Sequence, residues 1–215
     1  LLARRADRLE ALAGEIREAG GKALALATDV TRKEEVDAAV AAAHESFGGI
    51  HILVNNAGIM PLSALEALRI EDWERMVDVN VKGPLFGIGA VLPIMLEQGG
   101  GHIVNIGSVA GRRPFRTGTV YSATKYALRA LSAGIHLELS ASRGIRVTDI
   151  QPGVVETELA EHIPDPEART TFGQRWEGKR MLAARDIAEA VLYAVTAPAH
   201  VNVNEILVRP TDQPT

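Results

Sequence analysis

Residues 48–58 read Gly-Gly-Ile-His-Ile-Leu-Val-Asn-Asn-Ala-Gly. The apolar run Ile50 to Val54 lies between two glycines and a polar, small-residue turn. So short a run, apolar without strict alternation, fits a strand buried on both faces of a parallel sheet. Before it, Thr31 stands as a helix cap with Glu34 three residues on, a capping-box spacing ahead of a helix over about Arg32 to Phe47. Further upstream Leu9, Leu12 and Ile16 recur at spacings of three and four, so Asp7 to Ala19 reads as a one-sided helix closed by Gly20-Gly21, with Lys22 to Ala27 as the next strand. Downstream come a long helical region from about Ile70 to Gln98, a strand at His102 to Ile106, a helix from about Thr119 to Ser142, a strand at Ile145 to Ile150, a helix near Arg185 to Thr196 and a strand at Glu205 to Val208. Strands alternating with helices of this length predict right-handed crossovers and a doubly wound α/β domain, a parallel sheet with helices on both faces. The segment 154–180, rich in Glu, Pro, Thr and Arg, breaks the rhythm and is expected to be a partly helical flap over a ligand site. Residues 1–215 otherwise read as one domain.

At 215 residues, with 47% hydrophobic and 23% charged side chains, the chain can bury a sizeable core, which excludes a disordered protein. Lys and Arg number 23 against 27 Asp and Glu, and no basic run is present, so nucleic acid is not expected as a partner. The absence of cysteine excludes disulfides, thiolate metal sites and a thiol nucleophile. The six histidines show no metal-ligand spacing with carboxylates. Apolar stretches are broken by Gly, Pro or charge short of the ~20 residues of a membrane span, and no signal peptide opens the chain, so a cytoplasmic protein without a membrane partner is expected. The opening Leu-Leu-Ala-Arg-Arg reads as a strand end entering a helix, as though the sequence begins inside a fold.

In open parallel sheets ligands bind beyond the carboxyl ends of the strands. Those ends carry Arg4-Arg5, Asp29-Val30, Asn55-Asn56-Ala57-Gly58, Ser108, and Pro152-Gly153 with Thr157 shortly after. Tyr121 and Lys125, four apart, emerge on one helix face, and a nearby ammonium lowers a phenol pKa that is otherwise about 10. The same spacing also occurs on ordinary solvated helices. Asn side chains after a buried strand can tie neighbouring strands together, while Ala57-Gly58 allows a ligand to approach the main chain. Asn80 is poorly placed inside a helix and fits either a functional role or the satisfaction of backbone groups at a helix irregularity. Gly83, Gly87 and Gly89, with Pro84 and Pro93, lower helix propensity but let this helix pack closely against a partner.

The Asn-Asn-Ala-Gly turn, Ser108, the Tyr121-x-x-x-Lys125 pair and Pro152-Gly153, in that order, resemble the short-chain dehydrogenases and reductases along essentially the whole chain. The resemblance implies a Rossmann-like three-layer αβα fold and an NAD(P)-dependent enzyme acting on CH-OH groups of a small molecule by hydride transfer. It implies that Ser108 and Tyr121 grip one carbonyl oxygen, with Tyr121 as acid or base. Lys125 then reaches the nicotinamide ribose, and Asn80 holds a water linking Lys125 to solvent. It places the adenine beside Asp29 and Val30, the riboses near Asn55, Asn56, Ala57 and Gly58, and the carboxamide against Pro152, Gly153, Val155 and Thr157, with Tyr121 and Lys125 also touching the cofactor. Ala3 stands where an NAD enzyme carries a carboxylate, and Arg4 and Arg5 follow it. Guanidinium forks suit a 2′-phosphate, so the expected cofactor is NADP(H). The family often pairs helices across a two-fold axis, and Leu128, Leu131, Ile135 and Leu139 offer an apolar stripe, so a homodimer or homotetramer is expected. From the residues themselves, His162, Phe172 and Trp176 in the segment 154–180 suit either a cover over the reacting centre or an ordinary surface excursion, and Arg112 and Arg113, just beyond Ser108, either help receive an acidic substrate or lie on a solvated loop. The C-terminal stretch resembles the 3-hydroxy acid and serine dehydrogenase branch, clavulanic acid dehydrogenase above all.

One feature of the family is missing. The glycine-rich Thr-Gly-x-x-x-Gly-x-Gly turn that seats the pyrophosphate is absent and would belong upstream of Leu1, so a longer protein lacking here its first strand is expected. A 3-oxoacyl carrier-protein reductase would share the same catalytic residues, and a non-catalytic nucleotide-binding scaffold would suit a truly truncated chain.

Overall fold

The structure, a computed structural model, describes residues 1–213. Its main sheet has four parallel strands in the order β3 (Ile52–Asn55), β4 (Gly101–Ile106), β5 (Ile145–Pro152) and β6 (Glu205–Val208). A separate parallel pair joins β1 (Leu2–Ala3) to β2 (Leu26–Ala27). The helices are α1 (Ala6–Glu18), α2 (Lys33–Phe47), α3 (Ile70–Val77), α4 (Gly83–Glu97), α5 (Thr119–Ile135), α6 (Ala141–Arg143), α7 (Pro166–Trp176) and α8 (Ala184–Thr196). In register, Asn55 lies opposite Asn105 and Ile106 opposite Ile150. The strand ends are therefore level, and the turns after β3, β4 and β5 share one rim.

The core explains the order of layers. Ile103, Ile145 and Val147 are fully buried and pack with Val36 and Val40 of α2, Ile88, Val91 and Met95 of α4, and Ile135 of α5. A second cluster joins Met60, Leu62, Met76 and Tyr121 to Ile163 and Ala168, so part of the segment 154–180 is packed into the body of the protein.

Five expectations change. The expected strand over 22–27 pairs only at Leu26–Ala27, and β3 pairs only with β4, leaving Ile52 and Val54 more than 40% exposed. The expected Thr31–Glu34 capping box is replaced by Asp29, whose Oδ1 accepts from the Thr31 amide at 2.9 Å, while Glu35 Oε2 accepts from the Asp29 amide at 2.8 Å. The shift arises because the turn begins two residues earlier, where an aspartate closes an Asx-type turn. The stripe Leu128, Leu131, Ile135 and Leu139 belongs to the core rather than to an outer face; exposed apolar side chains on the outer faces are Leu85 and Leu96 of α4 and Tyr126 of α5. Finally, Ile70–Glu97 forms 28 helical residues apolar enough, by length and composition, to cross a membrane, against the expectation of no such stretch. Its α4 half packs on α2, β3 and β4, as the core helix of this fold.

Small residues on α4 do bring it close to the sheet. A β-carbon at Gly87 would come 2.9 Å from Asn55 Oδ1, whereas one at Gly89 would meet nothing within 4 Å. Gly89→Ala is expected to stabilise the protein by about 0.5–1 kcal/mol through helix propensity. Gly87→Val is expected to destabilise it by about 1–3 kcal/mol through overpacking, both read by chemical denaturation.

Candidate active site

The rim opens into a cavity of about 1800 Å³. Leu2, Ala3, Arg4, Arg5, Asp29 and Val30 line one end, Asn56, Ala57 and Gly58 the middle, and Ser108, Tyr121, Lys125, Pro152, Gly153, Val155 and Thr157 the other.

Ser108 follows β4 directly and caps a short 3₁₀ turn, its Oγ accepting from the Ala110 amide at 3.1 Å. Helix α5 brings Tyr121 and Lys125 beneath this turn, both buried. The approach is close because Gly111 has no side chain: a β-carbon there would lie 2.8 Å from the Lys125 carbonyl oxygen. Lys125 Nζ donates to the Ile106 carbonyl at 2.7 Å and stands 5.8 Å from the Tyr121 ring centroid. A β-carbon on Gly58 would sit 3.4 Å from Asn80 Oδ1 and 3.8 Å from Lys125 Nζ. Gly58, Asn80 and Lys125 thus meet at one point.

Asn80 occupies a π-turn (Asp78–Lys82) between α3 and α4. Its Oδ1 accepts from the Ile59 amide at 2.8 Å, and its Nδ2 donates to the Ile59 carbonyl at 2.9 Å and to Thr124 Oγ1 at 3.1 Å. It therefore satisfies backbone groups at a helix irregularity while abutting Lys125's neighbourhood. Asn55 turns away from the cavity: its Nδ2 donates to Asn105 Oδ1 at 2.8 Å, and Asn105 donates in turn to Ser132 Oγ at 2.8 Å. The chain of amides ties β3, β4 and α5 together.

Burial governs the electrostatics. It pushes the Tyr121 phenol up to about 12, opposed by the nearby Ser108 hydroxyl. It pulls Lys125 down to about 8, opposed by the negative charge of Asp149. The expected lowering of the phenol by the ammonium is not seen: desolvation raises it, and the Ser108 hydroxyl is the group that counters this.

At the other end Arg5 and Arg8 both bind Glu158 of the segment 154–180, at 2.8 and 2.5 Å. Arg4 acts on Asp29, whose carboxyl is held low mainly by the Thr31 amide. Arg112 is not available to an acidic substrate as expected, because Gln151 and Glu205 engage its guanidinium; Arg113 lines the cavity. His162, Phe172 and Trp176 also line it, with Arg175 5.4 Å from the Trp176 ring. The sequence reading missed Asp149 and Gln151, both about 1% exposed; the signal was an acid inside an apolar strand. Among the described residues no His, Cys, Asp and Glu group could hold a metal ion.

Residues 1–168 match the short chain dehydrogenase family. An uncharacterized oxidoreductase of Staphylococcus saprophyticus is 42% identical over 213 residues, covering 98% of this chain and 85% of the relative. The closed form of serine dehydrogenase complexed with NADP+ superposes with a TM-score of 0.88 at 35% identity, over 100% of this chain and 85% of that one. A short chain dehydrogenase/reductase from Burkholderia phymatum in complex with NAD gives 0.86 at 28% identity, over 96% and 78%. The chain belongs to the short-chain dehydrogenase family, NAD(P)-dependent oxidoreductases that act on CH-OH groups.

Asn80→Ala removes three hydrogen bonds, one of them buried and two partly buried, and strands both backbone groups of Ile59. A loss of about 2–3 kcal/mol in unfolding free energy is expected from urea denaturation.

Proposed function

We propose that this protein is an NADP-dependent oxidoreductase interconverting a carbonyl and an alcohol on a small molecule, with Tyr121 as acid and base. The observation that carries the reading is the convergence of Ser108, Tyr121 and Lys125 on one wall of the cavity. The residues fit a dinucleotide. The cavity runs from two guanidiniums to this polar wall, and Ala57-Gly58 keeps its middle free of bulk. Arg4 would hold a 2′-phosphate, joined by Arg5 once it exchanges its exposed ion pair with Glu158 for the phosphate; Asp29 and Val30 would flank the adenine, Lys125 would bind the nicotinamide ribose, and Pro152 to Thr157 would face the carboxamide. Bound there, the cofactor supplies or takes the hydride.

The chain's own residues handle the oxygen and its proton. Ser108 donates to the substrate oxygen and keeps it beside the phenol. Tyr121 gives up or receives the proton at its Oη. A phenol held near 12 by burial is a poor base alone, and in this reading the Ser108 hydroxyl and a positive charge at Lys125 together would make the phenolate accessible. Asn80 positions the π-turn beside Lys125 and would hold the water through which the proton leaves. The segment 154–180 acts as the substrate flap of a single domain, and the exposed Leu85, Leu96 and Tyr126 support a homo-oligomer.

Tyr121→Phe keeps the ring and deletes the proton. Turnover of carbonyl substrates is expected to fall by about 10² or more with NADPH binding retained, measured by absorbance at steady state and by fluorescence titration. Near-normal turnover contradicts the role. Replacing Arg4 and Arg5 by Ala is expected to raise KM for NADPH much more than for NADH, and equal changes for both cofactors contradict the NADP assignment.

A further inference from the structure

Beneath the site lies a charged group that the proposed chemistry does not use. Asp149, in the middle of β5, is about 1% exposed, and its Oδ1 has no hydrogen-bond partner. Oδ1 rests on the turn that follows β4: a β-carbon at Gly107 would collide with it. Lys125 Nζ is bound to the carbonyl of Ile106, the residue before that glycine. The acid and the ammonium therefore lean on consecutive residues of one strand end, from beneath the sheet's rim and from α5.

The surroundings give this acid one uncommitted opposite charge. Gln151 Nε2 donates to Asp149 Oδ2 at 2.6 Å, and Gln151 in turn accepts from Arg112. Glu205 of β6 takes both Arg112 and Arg129, the latter at 2.8 Å, so each arginine has a carboxylate partner nearer solvent. Ile106 and Gly107 of β4 carry no charge. From α5, Lys125 and Arg129 act on Asp149 favourably, and from β6 Glu205 acts against it. Among the described residues Asp149 is the acid whose charge acts on Lys125.

A carboxylate is a costly way to tie strands. An amide at the same place would keep the Gln151 contact without burying a charge, and a buried charge with one unpaired oxygen is destabilising unless its field is used. We propose that Asp149 is a positioning residue for the reaction, a buried counter-charge that keeps Lys125 an ammonium at the end of β4. The inference rests on the role given above to Lys125 and adds how its charge survives desolvation. Burial raises the Asp149 carboxyl to about 6 and lowers Lys125 to about 8, so between these values both groups are charged and each favours the other. Above that range the ammonium is lost and with it the cation beside the phenol.

The test is a carbon-13 NMR titration of the Lys125 Cε signal, assigned with Lys125→Met, in the wild type and in Asp149→Asn. The isosteric variant is expected to lower the Lys125 midpoint by about half a pH unit or more. The alkaline limb of kcat/KM should move down with it, and Asp149→Glu should restore part of both. An unchanged Lys125 midpoint in a folded Asp149→Asn protein overturns the proposal and leaves Asp149 a strand tie. If that variant does not fold, the wild type decides: the Lys125 signal must show a second inflection at the pH where the Asp149 carboxyl titrates, and its absence overturns the proposal equally. Neither midpoint depends on turnover, so a protein that reduces no carbonyl would contradict the functional reading without deciding this one.

Discussion

One hydrogen bond, from the buried ammonium of Lys125 to the carbonyl of Ile106, joins the helix that carries Tyr121 to the strand end that leads to Ser108. Much of the site follows from keeping that contact. Gly111 is bare so that α5 can lie against the 3₁₀ turn, and Gly58 is bare where Asn80 and Lys125 approach the turn after β3. The π-turn lets Asn80 serve Ile59 and Thr124 at once, which a regular helical residue pointing along the helix surface would not do. Desolvation is the opposing force: it lowers Lys125 and raises Tyr121, so each group alone would be in its neutral form near pH 8 and above. Opposite charge close to Lys125 offsets part of that cost.

The far end of the cavity is held differently. Val30 is placed by packing, since a β-carbon at Gly83, where α4 begins, would come 3.2 Å from a Val30 methyl, and Asp29 by its bonds with Thr31 and Glu35. The pairs of Arg5 and Arg8 with Glu158 are exposed and contribute little to stability. Their effect is on Glu158, whose carboxyl falls to about 2 through those two guanidiniums, and on the position of the segment that borders the cavity. Val54 of β3 and Leu2 and Ala3 of β1 line the same cavity, which reaches from the arginines to Tyr121.

The alternation of short apolar runs with one-sided helices is legible because period and length are local properties. Glu205–Val208 and the starts of α5 and β5 lie where the pattern puts them. Strand ends were legible as a site because polar and small residues follow buried runs at Asn56, Ser108 and Pro152. What the pattern could not carry is pairing across the chain. Nothing in residues 22–27 says that only two of them pair, and an apolar stripe on α5 looks the same whether it meets the sheet or a second copy. Arg112 reads as a free cation until Gln151 and Glu205, 39 and 93 residues away, are seen to engage it. The roles of Asp149 and Asn80 depend in the same way on partners 21 to 44 residues distant or on a neighbouring strand end.

In the proposed reading a single buried ammonium, Lys125, serves both the phenol and the cofactor ribose. Its most direct test is the NADPH dissociation constant measured by fluorescence from pH 6 to 10 in the wild type and in Lys125→Met, a range spanning the Lys125 value of about 8. Wild-type affinity is predicted to weaken as pH rises through that value, and Lys125→Met to bind more weakly at neutral pH with no such step. Parallel pH profiles in the two proteins would contradict it.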